Sequence, residues 1–200
     1  MKEMWDNRYS HDEYAYGENP NVFFSQQLAN LEKGKILLPA EGEGRNAVYA
    51  ALHGWQTDAF DFSNSAKEKA LKLADKHGVI INYSISSLLD FTSGKVGYDC
   101  IALIYVHIPV EIRPVFHEKI SKLLAPGGTL ILEGFSKKQH GKSSGGPKIE
   151  SMLFSANELR SDFEDLSITL LIEEDTILNE GEFHKGNASV VRLLATKPFN

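Results

Sequence analysis

A short apolar run, Ile36–Leu38, leads into Gly42-x-Gly44, and the small-residue stretch Arg45–Ala51 follows at once. No other feature constrains the fold of this chain as strongly. A strand, a glycine turn and a helix in that order bring the backbone close to a bound group, because a Cβ at the turn would clash. The closest approach is expected at Gly44. The next apolar segment ends on an acid, Asp61, 19 residues after Gly42. A glycine turn followed at that distance by a carboxylate reads as a pocket for a ribose-bearing cofactor, the acid accepting from ribose hydroxyls. A glycine-containing turn that binds nothing carries the same local pattern, so the rest of the chain has to decide.

The rest of the chain alternates. The spacing predicts a helix over Asn21–Leu31 with Gly34 as its stop, a strand over Lys35–Pro39, and a helix from Arg45 to His53 closed by Gly54. A strand Thr57–Asp61, a helix Ser65–His77 ended by Gly78, and a strand Val79–Ile85 come next. Tyr98–Val106 is almost continuously apolar, as a central parallel strand covered on both faces should be. A helix Arg113–Leu124, with Pro114 in its first turn, leads through Ala-Pro-Gly-Gly into a strand Thr129–Phe135. Ser155-x-x-Glu158 predicts a capping box. Two strand-like runs without an intervening helix, Leu166–Leu178 and Ala188–Lys197, should pair as a hairpin. The pattern is that of an α/β protein with a doubly wound, mostly parallel sheet and a C-terminal antiparallel hairpin.

With 200 residues, no repeats and no linker-like break, the chain is expected to form one domain over 1–200. A net charge of −6 and the lack of a long basic block argue against a nucleic-acid backbone as partner. The one basic cluster, Lys137, Lys138, His140 and Lys142, reads as a solvated Gly/Ser-rich loop. A single cysteine, Cys100, lies in an apolar run and reads as a buried, inert thiol. No signal-like apolar segment opens the chain and no run reaches the length of a membrane span, so a cytoplasmic protein is expected. His11, His77, His117 and His140 have no metal-like spacing with carboxylates, and no metal is expected.

In such a sheet the ligand sits beyond the carboxyl ends of the strands, where strand order reverses. Gly42, Gly44, Asp61, Ser86–Leu88 and Tyr105–His107 all fall at those ends. The loop 136–149, with three glycines, follows the fifth strand on the same side and is expected to be a flexible lid.

The chain resembles class I S-adenosylmethionine-dependent methyltransferases, and more narrowly the small bacterial tellurite-resistance and thiopurine methyltransferase-like group. The matching residues span nearly the whole length: Trp5-Asp6-x-Arg8-Tyr9, Tyr16-Gly17-x-x-Pro20-Asn21, Ala40–Ala47, Leu132–Phe135, Gly145–Lys148 and Glu180-Gly181-x-x-His184-x-Gly186. The resemblance implies a seven-stranded, Rossmann-like sheet with S-adenosylmethionine as cofactor. It implies that Glu41, Gly42 and Gly44 cradle the amino-acid end of the cofactor. Asp61 would hold the ribose, Phe62 would lie against the adenine, and Ser87 and Leu88 would contact the base edge. Such enzymes often carry an acid where Ser87 stands. Tyr105 would end the fourth strand beside the methyl donor, and Trp5 and Tyr9 would belong to an N-terminal segment, residues 1–20, folded over the cofactor.

Plainer readings stand beside these. Trp5 and Tyr9, at i and i+4, also form the apolar face of an N-terminal helix, and Arg45 can pair locally. His107 reads equally as a strand-end histidine, and His184 as a solvated residue in a hairpin tip. If the acceptor is oxygen or nitrogen, His107 or His184 is the candidate base; a thiolate or reduced chalcogen needs none. The expected acceptor is a small molecule, with a thiol or reduced chalcogen compound first, acted on by a monomer or weak homodimer. Gly42-x-Gly44-x-x-Ala47 also fits the looser dinucleotide fingerprint, which keeps an NAD(P)-dependent oxidoreductase open, as well as a cofactor-binding module without turnover.

Overall fold

The computed structural model describes residues 2–94 and 97–199. In chain order the elements are α1 (Lys2–Tyr9), α2 (Val22–Leu28), β1 (Lys35–Pro39), α3 (Arg45–Leu52), β2 (Gln56–Asp61), α4 (Asn64–Lys76) and β3 (Asn82–Ile85). Then come β4 (Tyr98–Ile104), α5 (Arg113–Leu123), β5 (Leu124–Phe135), α6 (Ala156–Asp162), β6 (Ser167–Glu180) and β7 (His184–Thr196). The strands form one seven-stranded sheet in the order β3-β2-β1-β4-β5-β7-β6. It is mostly parallel, and β7 lies antiparallel to β5. The expected α/β architecture, with its C-terminal antiparallel hairpin, is what the chain adopts.

The chain divides into two compact units, Met1–Thr92 with Glu180–Phe183, and Ser93–Asn179 with His184–Asn200. In the first, β1 is covered on both faces: Ile36, Leu37 and Leu38 are all buried. Helix α4 is capped by Ser63, whose side chain accepts from the Ala66 N–H. Helix α2 stops at Leu28, short of the expected Leu31, because Asn30 and Leu31 donate into a turn at Gln27 and Leu28. Strand β3 is also shorter than expected. Gly78 takes a left-handed conformation at the end of α4, and the Val79 N–H bonds back to Ala74, so Val79 belongs to the helix exit.

In the second unit β4 is buried at every position from Cys100 to Leu103, and burial pushes the Cys100 thiol well up. Strand β5 begins at Leu124, five residues earlier than expected. The pairs Tyr98↔Leu124 and Cys100↔Thr129 show that Ala125–Gly128 form a bulge within the strand. The capping box is present at α6, Ser155 and Glu158 each bonding the other's backbone. The hairpin is longer than the sequence pattern indicates: β6 runs to Glu180 and β7 starts at His184, so three residues make the turn.

The loop 136–149 is tied down by its own side chains. Buried Gln139 accepts from the Ser189 N–H at 2.8 Å and donates to Ser144 at 2.9 Å, and Ser144 donates to the Asn187 carbonyl at 2.6 Å. These bonds join the loop to β7. Three of its lysines are paired with an acid: Lys137 with Glu158, Lys138 with Glu173 and Lys142 with Asp175.

Candidate active site

The glycine turn in the first unit is built around carboxylates. Helix α3 has Gly44 at its N-cap, in a left-handed conformation with no side chain to cap the first turn. Glu41 does this instead: one oxygen accepts from the Asn46 and Ala47 N–H groups, each at 2.8 Å. Burial raises the Glu41 carboxyl to about 7, against these bonds and the nearby Arg45. Asp61, at the end of β2, accepts from the Gly42 N–H at 3.2 Å and the Ser63 N–H at 2.9 Å. Burial raises its pKa, and the backbone donors oppose that. Tyr83 donates to the Gly42 carbonyl at 2.6 Å. The turn is thus held on both sides of one residue, Gly42.

The two glycines serve different ends. A Cβ on Gly42 would lie 2.9 Å from the Tyr9 hydroxyl, which puts Tyr9 against the turn. A Cβ on Gly44 would lie 2.6 Å from the Ala70 Cβ and 2.9 Å from its Cα. What Gly44 approaches is α4, so packing of α3 on α4 is what demands glycine there. Ala40, just before the turn, is itself left-handed at φ 49°.

The N-terminal segment packs on this turn and on α4. Trp5 stacks on Tyr9 with centroids 5.4 Å apart, and the Arg8 guanidinium lies 4.8 Å from the Trp5 ring and 4.5 Å from that of Phe183. Asp6 bonds Ser63 at 2.5 Å. The Lys69 ammonium is buried between Glu43, at 2.5 Å, and the carbonyls of His11 and Glu13, at 2.9 and 2.6 Å. Arg45 does not pair locally. It reaches Glu180 at 2.8 Å, which also takes Asn21 at 3.0 Å. Phe62 is half-buried beside Asp61. Ser87 bonds Asp90 at 2.6 Å and closes its own turn, and Leu88 beside it is half-buried.

In the second unit the residues after β4 meet the end of β5 and the start of β7. Tyr105 has φ 56°, an outlier for a bulky side chain. Its ring lies 4.7 Å from Phe135 and 4.4 Å from His184, and its hydroxyl donates to Glu133 at 2.8 Å. His184 is buried as the first residue of β7, not solvated in a turn. Both ring nitrogens of His107 are engaged. One faces the Met152 carbonyl at 2.8 Å, and the other accepts the Phe135 N–H at 2.9 Å. Burial lowers its pKa to about 4. A histidine held this way has no lone pair left for an acceptor's proton, so its place is structural and it drops out as a base.

No family model matches the chain. The 2-heptyl-1-hydroxyquinolin-4(1H)-one methyltransferase of Mycobacteroides abscessus is 27% identical over 127 residues, 60% of this chain and 56% of that protein. The chain thus spans about half the length of the curated relative it matches. Among solved structures, one described as the conversion of a disulfide bond into a thioacetal group during echinomycin biosynthesis superposes with a TM-score of 0.79. It is 17% identical, over 100% of this chain and 93% of that one. Magnesium protoporphyrin IX methyltransferase from Synechocystis PCC 6803, with bound S-adenosylhomocysteine, gives 0.70 at 15% identity over 98% and 94%. The chain has the class I S-adenosylmethionine-dependent methyltransferase fold. TehB from Haemophilus influenzae shares this methyltransferase fold with a TM-score of 0.74 at 16% identity, over 98% of this chain and 66% of that one.

Lys69 went unmarked in the sequence, and Glu43, Glu133 and Glu180 lie in the matching stretches without a role given to them. Lys69, Glu43 and Glu180 are surface-type residues whose partners are tens of positions away, and no local period marks them. Glu133 offered one signal: an acid inside the apolar run Leu130–Phe135 has to be paired if buried.

Proposed function

We propose that the chain transfers a methyl group from S-adenosylmethionine to a small-molecule acceptor. The observation that carries this reading is Asp61, a buried carboxylate at the carboxyl end of β2, tethered through the Gly42 N–H to the turn that opens α3. A carboxylate offers about four lone-pair sites, so Asp61 keeps capacity for a ribose hydroxyl beside its backbone donors. Phe62 and Leu88 supply half-buried apolar surface for the adenine, with Ser87 at the base edge. Glu41, its second oxygen only 3.5 Å from the Asn46 amide, takes the cofactor's ammonium group, and Gly42 frames that end. Gly44 acts by letting α3 begin there. Trp5 and Tyr9 wall the cofactor on the side of the N-terminal helix. The bound cofactor supplies a methyl group activated by the sulfonium charge; the protein aligns the acceptor and excludes water.

We read the chain as one catalytic domain working in the cytoplasm, as a monomer or weak homodimer without nucleic acid. No described helix is long and apolar enough to cross a membrane. Calorimetric titration of the full chain with S-adenosylmethionine, S-adenosylhomocysteine, NAD and NADP tests the cofactor. Binding of the sulfonium pair alone is expected, and Asp61→Ala should weaken it by roughly 1.5–3 kcal/mol. NAD binding without sulfonium binding would turn the reading to an oxidoreductase. A methyl-acceptor screen over thiols, chalcogen oxyanions, hydroxyquinolones, amines, RNA and protein then tests the acceptor. Methylation of RNA or protein would overturn the small-molecule reading, and binding without any turnover would favour a sensor.

A further inference from the structure

The segment 11–15 wraps around a single ammonium group. Lys69, on α4, is 8% exposed, and its Nζ faces three oxygens. One is a carboxylate oxygen of Glu43 at 2.5 Å; the others are the carbonyls of His11 and Glu13 at 2.9 and 2.6 Å. The ring of Tyr14 lies 4.6 Å from the same Nζ, and the Tyr14 hydroxyl donates to the Lys69 carbonyl at 3.1 Å. Glu43 is buried as well, and its other oxygen accepts the Ala15 N–H at 2.8 Å. An apolar side chain at position 69 would leave two carbonyls and a buried carboxylate without this donor, so one ion pair holds the whole strap.

The pair also meets the glycine turn. Glu43 stands between Gly42 and Gly44, and Ala70, next to Lys69, is the residue that Gly44 packs on. Ala15 shares a buried cluster with Tyr9 and Ala66, and Tyr9 lies against Gly42. Freeing the strap at Ala15 therefore removes the backing of Tyr9, which borders the turn. A cleft of about 370 Å³, lined in part by Tyr9, His11, Tyr14 and Lys69, opens beside the strap.

We propose that Lys69 is a positioning residue for the cofactor site: with Glu43 it latches the strap 11–15 to the glycine turn, so that the N-terminal wall and the turn order together. This rests on the S-adenosylmethionine reading and adds to it the device that couples wall to turn. Such coupling is reciprocal: whatever affinity the latched strap gives the cofactor, the cofactor returns as order in the strap.

The test uses the full chain and S-adenosylhomocysteine, with Lys69→Met, which keeps the stem of the side chain and removes its charge. Without ligand, hydrogen exchange at the Ala15 amide should speed up about 10-fold or more, while the amides of β1 keep their native protection. Calorimetry should show S-adenosylhomocysteine bound about 10-fold more weakly, an ordinary size for a coupling between sites. Saturating ligand should then slow Ala15 towards its native rate. In Lys69→Ala, propylammonium replaces the lost atoms through the cleft and should restore affinity, whereas tetramethylammonium, which has no N–H, should not. Lys72→Met, on the exposed side of α4, should bind like the native chain. Affinity within about threefold of native in Lys69→Met, with Ala15 exchanging freely, would show wall and turn to be independent and overturn the latch. Equal speeding of exchange in β1, or recovery with both cations or with neither, would overturn it too. If Lys69→Met does not fold, Glu43→Gln, which keeps an acceptor for Ala15, is read in the same way. A native chain that binds neither S-adenosylmethionine nor S-adenosylhomocysteine overturns the cofactor reading, and the positioning role with it. That outcome is distinct from loss of the latch alone, which leaves native binding intact.

Discussion

Ala40 and Tyr105 each follow a parallel strand, β1 and β4, and each has a left-handed backbone that favours glycine. At Ala40 the strain feeds a turn whose polar groups bond one another: Glu41 caps α3, and Asp61 and Tyr83 hold the Gly42 peptide. At Tyr105 the strain carries a large side chain, aimed at a buried acid on the next strand. One strand end uses its backbone to shape a bonded turn; the other uses its backbone to bring a tyrosine hydroxyl to a buried acid. The same local outlier therefore means different things, and only the side chain tells which.

The sharpest way to break this comparison is Gly44→Val. A β-branched residue at φ 87° and 2.6 Å from Ala70 should cost more than about 3 kcal/mol, seen as loss of cooperative unfolding in circular dichroism. A variant that folds but has lost only cofactor affinity would show that Gly44 faces the ligand after all. Next is His107→Ala, which strands the Met152 carbonyl and the Phe135 N–H. The expected loss is about 2–4 kcal/mol by urea denaturation. The native imidazole stays neutral down to about pH 4, while the unfolded one protonates near 6.5. Its contribution is therefore complete above pH 6.5 and lost as pH falls towards 4, and the variant should lack that slope.

Glu41 should show the opposite sign. Its folded pKa, about 7, lies above its ordinary 4.5, so the ligand-free protein loses stability as pH rises through that window. Glu41→Gln keeps the acceptor for Asn46 and Ala47 and should flatten the slope in pH-dependent thermal melts. The smallest effect belongs to Ala40→Gly. Relief of the left-handed strain, offset by a more flexible unfolded chain, should leave stability within about 1 kcal/mol of native. A larger gain would mean that the strain at Ala40 is held for something other than stability.

Much of this was legible in the residues. Apolar runs and glycine stops mark the strands and helices, and Ser155-x-x-Glu158 marks its own cap. Asp61 is readable because the distance from a glycine turn to the acid is set by one βαβ unit. Pro-Gly-Gly reads as a turn locally, whereas pairing with β4 makes it a bulge. The bonds that Gln139 and Ser144 make from the loop 136–149 reach partners 50 and 43 residues away, which its local composition does not mark. The commitment of both His107 nitrogens depends on Met152 and Phe135, and neither is marked by sequence spacing.

The first unit closes late in the life of each new chain. Its turn residue Gly181 sits so near Tyr16 and Gly17 that a Cβ would lie 2.6 Å from their backbone, and Glu180 is the partner of Arg45 and Asn21. Residues 180–183 leave the ribosome roughly 90 positions after the rest of that unit, a wait on the order of 5–20 seconds at ordinary synthesis rates. Until then the Arg45 charge has no Glu180, and the aromatic N-terminal helix has no Phe183 to pack on. A nascent chain of this protein should therefore stay sensitive to protease across residues 1–20 until the final hairpin has emerged.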